Sequence, residues 1–308
     1  MTARVPAIIV HGGAGPSPAD GLEELRAAMR AAAAAGWARL SEGGTSLDAV
    51  EAAVRLLEDH PRFNAGRGAV LTAAGTVELD ASIMEGDRLR CGAVAAVSGI
   101  ANPISLARRV LEDGRHVLLV AGGALAFARA HGIPECDPDS LITDRQRQRW
   151  IERRGSAGAP QATAAHPEGA RDVPRGTVGA VALDARGTMA AATSTGGTPG
   201  QLPGRVGDSA LIGCGTYAES TIGGVSCTGA GEAIIRTALA YRALALLKDA
   251  DDPDYAAKVA VDVLVSDGRG DGGLILLDWR GRGGFASSSP FMPVAWQSPT
   301  LPSPVVGF

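Results

Sequence analysis

The chain has 308 residues, 45% of them hydrophobic, with 42 glycines, only 4% aromatics and a formal net charge of −4. That length holds one large α/β domain or two smaller ones, with a full core packed closely through small side chains. A mildly acidic chain without long Lys/Arg runs argues against nucleic acid or an anionic membrane as main partner, and no segment approaches the roughly 18 uninterrupted apolar residues of a membrane span.

Pro6 to Val10 reads as a buried strand ending in His11-Gly12-Gly13-Ala14-Gly15. Its apolar run, Ala7 to Val10, is too short for the core of a signal peptide. The glycines do not fit a dinucleotide fingerprint, because Pro18 stands where the last glycine belongs; close backbone packing explains them better. Gly21 to Leu40 reads as a helix. Thr45-Ser46-Leu47-Asp48 is a capping signal for a second helix continuing to Leu57. Pro61 to Gly68 is a loop, and Val70–Thr72 and Thr76–Ile83 read as strands joined by the Ala74-Gly75 turn. Cys91 to Val97 is another strand. Pro103 opens a short helix that Gly114 ends, and Val117 to Val120 is a further strand. Asp137 to Arg153 is charged and helical in period.

Gly155 to Arg175 changes character: rich in Gly, Ala, Pro, Ser and Thr and without apolar periodicity, it reads as an exposed, mobile linker. Thr177–Leu183 and Thr188–Thr195 then form two strands around Asp184-Ala185-Arg186-Gly187. A helix is expected over Gly231–Lys248, and Gly273–Asp278 with Gly284–Ala286 forms a last hairpin. Strands in hairpin-like groups with helices between them suit two sheets covered by helices, not a βαβ parallel sheet. Four cysteines, Cys91, Cys136, Cys214 and Cys227, lie far apart without a C-x-x-C pattern, as expected of reduced thiols in a cytoplasmic protein. The five histidines have no metal-ligand spacing, which argues against a catalytic zinc.

The chemistry concentrates after the linker. Breaking the Gly176–Thr177 bond would turn Thr177 into an N-terminus that carries both a hydroxyl nucleophile and its own amine base. A three-residue loop with Gly187 in the left-handed position sets Asp184 against Thr188 and so Thr177 against Thr195. Thr195 then lies within reach of the Thr177 hydroxyl. Arg205 offers a fork for a carboxylate, and Asp208, three residues on, can accept an ammonium, so together they suit an amino-acid-like ligand. Thr228 and Gly229, just before a helix start, can form an oxyanion hole. Taken singly, each of these has an ordinary explanation as a strand start, a surface ion pair or a tight turn.

Together, the segments IIVHGGAG, FNAGRGAVLT, ELDASIMEG, GAVAAVSGIANPISLARRVLE, GTVGAVALDARGTMAAATSTGG, LPGRVGD and VSCTGAGEAIIR resemble the plant-type L-asparaginase/isoaspartyl peptidase family of N-terminal-nucleophile hydrolases. The resemblance covers most of the chain, in the family's order. It implies an α+β fold, a four-layer αββα sandwich in a single domain, maturing into residues 1–176 and 177–308 by self-cleavage after Gly176. It implies Thr177 as nucleophile with Thr195 as its hydroxyl neighbour, Thr228 and Gly229 as oxyanion hole, Arg205 on the substrate α-carboxylate, Asp208 on its α-amine with Gly231 beside them, and Asn64 next to the nucleophile. L-asparagine and β-aspartyl dipeptides are the implied substrates. No cofactor is needed, some members of the family bind a structural sodium on backbone carbonyls that here would be those of about Leu57 to Gly68, and paired αβ units suggest a dimer. The chain departs from the family's pattern at Phe285 to Met292, with Ser287-Ser288-Ser289 in the wall that bears on side-chain specificity. It also lacks a lysine in Thr198-Pro199-Gly200-Gln201 and carries Ala230 where some relatives have threonine. A glycosylasparaginase-like hydrolase, a threonine aspartase-like protease and an uncleaved homologue serving as a binding or scaffold protein stay open as alternatives.

Overall fold

The computed structural model describes residues 4–156 and 176–307. The opening apolar run forms β1 (Ala7–His11), buried along its length. Helices α1 (Leu22–Ser41) and α2 (Ser46–Asp59) follow. The expected capping box starts α2: Thr45 Oγ1 accepts from the Asp48 amide at 3.1 Å and Asp48 Oδ2 accepts from the Thr45 amide at 3.0 Å, which satisfies donors that a helix start leaves bare. Next come β2 (Leu79–Glu85), β3 (Arg90–Val97), α3 (Pro103–Asp113), β4 (Leu118–Val120), α4 (Ala121–Ala130) and α5 (Asp144–Ser156). Pro103 opens α3, and Gly114 closes it at φ 70°.

Beyond the nucleophile candidate, β5 (Val178–Leu183) and β6 (Met189–Thr195) form the anticipated hairpin. Val178 opposes Ser194 and Leu183 opposes Met189, a register that sets Thr177 against Thr195. The remaining elements are β7 (Thr216–Glu219), β8 (Gly223–Gly229), α6 (Gly231–Thr237), α7 (Leu239–Ala250), α8 (Pro253–Ser266), β9 (Gly272–Asp278), β10 (Gly283–Ser287), β11 (Val294–Gln297) and β12 (Val305–Gly307).

Among the described residues these strands make two sheets, of order β12-β11-β1-β5-β6-β2-β3-β4 and β10-β9-β8-β7. All pairs are antiparallel except β3 with β4. One apolar layer joins α1, α2 and α3 to the outer face of the larger sheet, through Met29, Val50, Val54, Ile83 and Ile104 among others. A second joins α6, α7 and α8 to the smaller sheet. A third lies between the sheets and includes Ile9, Val181, Met189 and Ile275. The stack is therefore helix, sheet, sheet, helix, as the α+β sandwich reading requires.

Three expectations need correction. Val70–Thr72 is not a strand, and β2 begins at Leu79 instead of Thr76. The backbone there bonds locally and to a neighbouring loop: Thr72 N to Thr76 O at 2.9 Å, Ala73 N to Gln201 O and Gly200 N to Leu71 O at 2.8 Å. The helix expected over Gly231–Lys248 is two helices, broken at Ala238, which takes a left-handed φ of 47°. Helix α5 runs through Gly155 to Ser156, and the rest of the expected linker, 157–175, lies outside the described residues.

Candidate active site

The β5–β6 register brings the two threonines together. Thr177 Oγ1 donates to Thr195 Oγ1 at 3.2 Å, and Thr195 Oγ1 donates to the Gly176 carbonyl at 3.2 Å while accepting from Gly197 N at 3.0 Å. Both threonines are buried. Asn64, in the loop after α2, donates through Nδ2 to the Gly176 carbonyl at 2.7 Å and to the Gly197 carbonyl at 2.8 Å. Its Oδ1 accepts from Val70 N at 2.8 Å, which fixes the amide's orientation. The glycines after β1 are needed for close approach. Gly13 has φ 100°, and a Cβ on it would stand 2.7 Å from Gly176 Cα and 2.8 Å from Thr177 N.

Thr228 and Gly229 end β8 on the smaller sheet. Thr228 Oγ1 accepts from Ala14 N at 3.1 Å, and Ala14 follows the glycine that packs on Thr177. This contact brings Thr228 to the Thr177 side of the sandwich. It uses an oxygen lone pair and leaves the hydroxyl's proton for another acceptor. Behind Gly229, Gly272 opposes it on β9. Ser288 Oγ accepts from Gly272 N at 3.0 Å and donates to Gly272 O at 3.1 Å. The serine segment that departs from the family's pattern thus braces the strand behind the oxyanion candidate.

Arg205 and Asp208 flank Gly231. A Cβ on Gly231 would stand 2.6 Å from Arg205 Nη2 and 2.9 Å from Asp208 Oδ1, so only glycine leaves room there. Arg205 donates through Nε and Nη2 to Glu232 Oε1 at 3.0 Å and through Nη1 to Gln201 Oε1 at 3.2 Å. Asp208 is buried, and burial pushes its acid up to about 7, with the Arg205 charge the largest opposing influence. Among the described residues Asp208 Oδ2 has no hydrogen-bond partner. Oδ2 lies toward Gly215, whereas Oδ1 is the oxygen on the Gly231 side beside Arg205, the position from which a carboxylate can accept from a ligand ammonium. Asp80 carries this corner: its Oδ2 accepts from Gly207 N at 2.8 Å and its Oδ1 from Ala96 N at 2.9 Å.

The structure thus brings every sequence-predicted site residue to one end of the sandwich. Sequence reading did not single out Glu232, Gln201 or Asp80 as partners. The ELD segment placed Asp80 on a strand, but its two acceptors reach amides 16 and 127 positions away, and no local pattern reports such contacts.

The Leu57 to Gly68 loop gathers backbone oxygens. A Cβ on Gly66 would stand 2.6 Å from Glu58 O, and one on Gly68 2.9 Å from Phe63 O. Oxygens of this kind suit a hard cation. Arg145 Nη2 already donates to the Pro61 and Arg62 carbonyls at 2.9 Å each. Among the described residues no group of three or more His, Cys, Asp or Glu side chains could hold a metal ion, and no helix is long and apolar enough to cross a membrane.

The asparaginase family matches residues 4–301. The isoaspartyl peptidase/L-asparaginase of Danio rerio is 44% identical over 277 residues, covering 90% of this chain and 87% of that protein. The isoaspartyl peptidase/L-asparaginase of Homo sapiens is 46% identical over 279 residues, covering 89% and 88%. The plant-type L-asparaginase of Pyrococcus abyssi is 42% identical over 312 residues, covering 98% and 99%.

Proposed function

The chain belongs to the asparaginase family, and on that premise we infer that it is a hydrolase of the side-chain amide of L-asparagine and of isoaspartyl peptides. The observation that carries this reading is the contact of Thr177, Thr195 and Asn64 around the Gly176 carbonyl, with the Arg205–Asp208 corner nearby.

Maturation comes first. Thr177 Oγ attacks the Gly176 carbonyl carbon. Asn64 Nδ2 and Thr195 Oγ1, already donating to that oxygen, stabilise the charge it gains. The Gly176–Thr177 amide becomes an ester, water cleaves it, and the products 1–176 and 177–308 stay together because strands from both halves share one sheet. Thr177 now carries a free α-amine, whose ordinary pKa of about 8 suits a general base.

In turnover Arg205 takes the substrate α-carboxylate and Asp208 its α-ammonium. The Thr177 amine accepts the Oγ proton as Oγ attacks the side-chain carbonyl. Thr228 Oγ1, whose proton Ala14 leaves available, and Gly229 N stabilise the oxyanion. The protonated amine gives its proton to the departing ammonia or peptide amine, and water then hydrolyses the β-aspartyl ester on Thr177. No cofactor enters these steps.

A structural sodium ion on backbone carbonyls of about Leu57 to Gly68, a dimer of matured units and a cytoplasmic setting complete the proposal. The four thiols, all unpaired among the described residues, are in keeping with that setting. One experiment tests the core of it: purified protein is aged and sequenced from its N-termini while ammonia release from asparagine and aspartate release from β-Asp-Leu are followed. A new terminus at Thr177 that appears with activity supports the reading. Full activity in uncut protein overturns it.

A further inference from the structure

The two sheets meet mostly through apolar side chains, but one seam through that layer is polar. His11 Nε2 on β1 lies 2.9 Å from Ser226 Oγ on β8, which lies 2.7 Å from Thr193 Oγ1 on β6. Thr193 Oγ1 lies 2.5 Å from Thr216 Oγ1 on β7, which lies 2.8 Å from Ser82 Oγ on β2. Ser82 Oγ also lies 2.6 Å from the carbonyl of Ser209, the residue after Asp208. All five side chains are fully buried. Strands β1, β6 and β2 belong to the larger sheet and β8 and β7 to the smaller one, so the run changes sheet at every link.

Residues two apart on a strand share a face. Thr193 precedes Thr195 by two, Ser226 precedes Thr228 by two, His11 precedes Gly13 by two and Ser82 follows Asp80 by two. The seam is therefore the layer directly beneath the site. Gly179, two after Thr177, opposes His11. A Cβ there would overlap Ser226 Oγ and stand 2.5 Å from His11 Nε2, so a residue without a side chain lets the seam pass under the nucleophile's strand. Burial drives His11 down to about 3 against the raising influence of the Thr177 backbone. The imidazole is thus neutral at working pH and the seam carries no charge.

We propose that His11, Ser226, Thr193, Thr216 and Ser82 lock the nucleophile-bearing sheet against the oxyanion-bearing sheet, with Thr193 as the central positioning residue. The proposal rests on the assignment of Thr177, Thr228 and Gly229 above. The nucleophile stands on one sheet and its oxyanion donors on the other, so their spacing depends on how the sheets are set. Apolar contacts are non-directional and tolerate sliding, whereas hydrogen bonds fix both distance and direction. Catalytic geometry tolerates only about 0.5 Å of displacement. Apolar residues of the same volume would fill this layer without exposing hydroxyls to desolvation, and directional fixing is what the polar choice adds. Maturation differs, because its donors Asn64 and Thr195 surround Gly176 on the larger sheet's side.

The test compares Thr193→Val, which keeps the shape and loses the hydroxyl, with Thr193→Ser, which keeps the hydroxyl. Val181→Ala, in the apolar part of the same layer, is the control for lost stability. Steady-state turnover of asparagine, self-cleavage rate and Tm are measured on each. Thr193→Val should lower kcat about tenfold or more with KM within about twofold, and slow self-cleavage less than turnover. Thr193→Ser should regain most of kcat, and Val181→Ala should lose Tm with kcat nearly unchanged. If Thr193→Val does not fold, Ser226→Ala is read in the same way. Wild-type kcat in the hydroxyl-deleted protein, or a loss of kcat in Val181→Ala in step with its Tm, overturns the seam alone. A wild-type protein that hydrolyses neither asparagine nor β-Asp-Leu overturns the function, and with it the seam's role.

Discussion

Asn64 Nδ2 donates to the Gly176 carbonyl oxygen at 2.7 Å, so the amide preceding Thr177 is held polarised in the uncut chain. The Thr195 hydroxyl meets the same oxygen. Asn64→Ala removes the shorter of these donors and should slow self-cleavage by about 100-fold or more, while Thr177→Ala should leave the chain whole. Denaturing electrophoresis over days reads both. Asn64→Ala protein that matures at the wild-type rate would show that the carbonyl needs no such donor.

In the proposed reaction Arg205 and Gly231 serve substrate capture, and the donors at the Gly176 carbonyl are Asn64 and Thr195 instead. Arg205→Ala should lower kcat/KM for asparagine by about 100-fold, the size of a charge-assisted hydrogen-bond loss, and leave self-cleavage unchanged. Gly231→Ala should do the same, because its Cβ would stand 2.6 Å from Arg205 Nη2. Steady-state kinetics set beside a cleavage time course separates the two steps. Equal losses in both would mean that the Arg205 corner supports the whole site instead of the substrate.

Burial pushes the Asp208 acid up to about 7. In the proposed role its carboxylate form receives the ligand ammonium, so ligand affinity should weaken as pH falls through about 7. L-Aspartate, the product, needs no base to bind and isolates this group from the Thr177 amine. Calorimetric titration of matured protein between pH 5.5 and 8.5 is the measurement, and a pH-independent Kd would exclude Asp208 from ammonium binding.

Glu58, at the end of α2, is fully buried, accepts from Ser194 Oγ at 2.7 Å and from Ile104 N at 3.1 Å, and is pushed by burial from 4.5 up to about 8. Burial thus favours the protonated acid in the fold at pH values where the unfolded chain, with its ordinary value of 4.5, has released the proton. Between 4.5 and about 8 the folded state binds more protons, so this group's contribution to stability falls as pH rises. Glu58→Gln cannot ionise and keeps the acceptor oxygen. Its Tm relative to wild type should climb from pH 5 to pH 8.5, as differential scanning calorimetry would record. A constant difference would mean that Glu58 is ionised in the fold.

The sequence by itself determined what local rules govern. A three-residue hairpin loop and the period of two brought Thr177 opposite Thr195, Thr45 and Asp48 made their box, and Pro103 and Gly114 bounded their helix, because each depends on residues a few positions apart. Helix α4 escaped, since the Ala-Gly run Ala121–Ala130 has little polar–apolar period to read. Val70–Thr72 looked like a strand until side chains and a distant loop took its hydrogen bonds. The hold of Glu232 and Gln201 on Arg205, the double acceptance at Asp80 and the His11-to-Ser82 seam were decided only by the tertiary structure. Stacking one sheet on another joins residues more than a hundred positions apart, and it is long-range packing that sets which hydroxyl faces which across that layer.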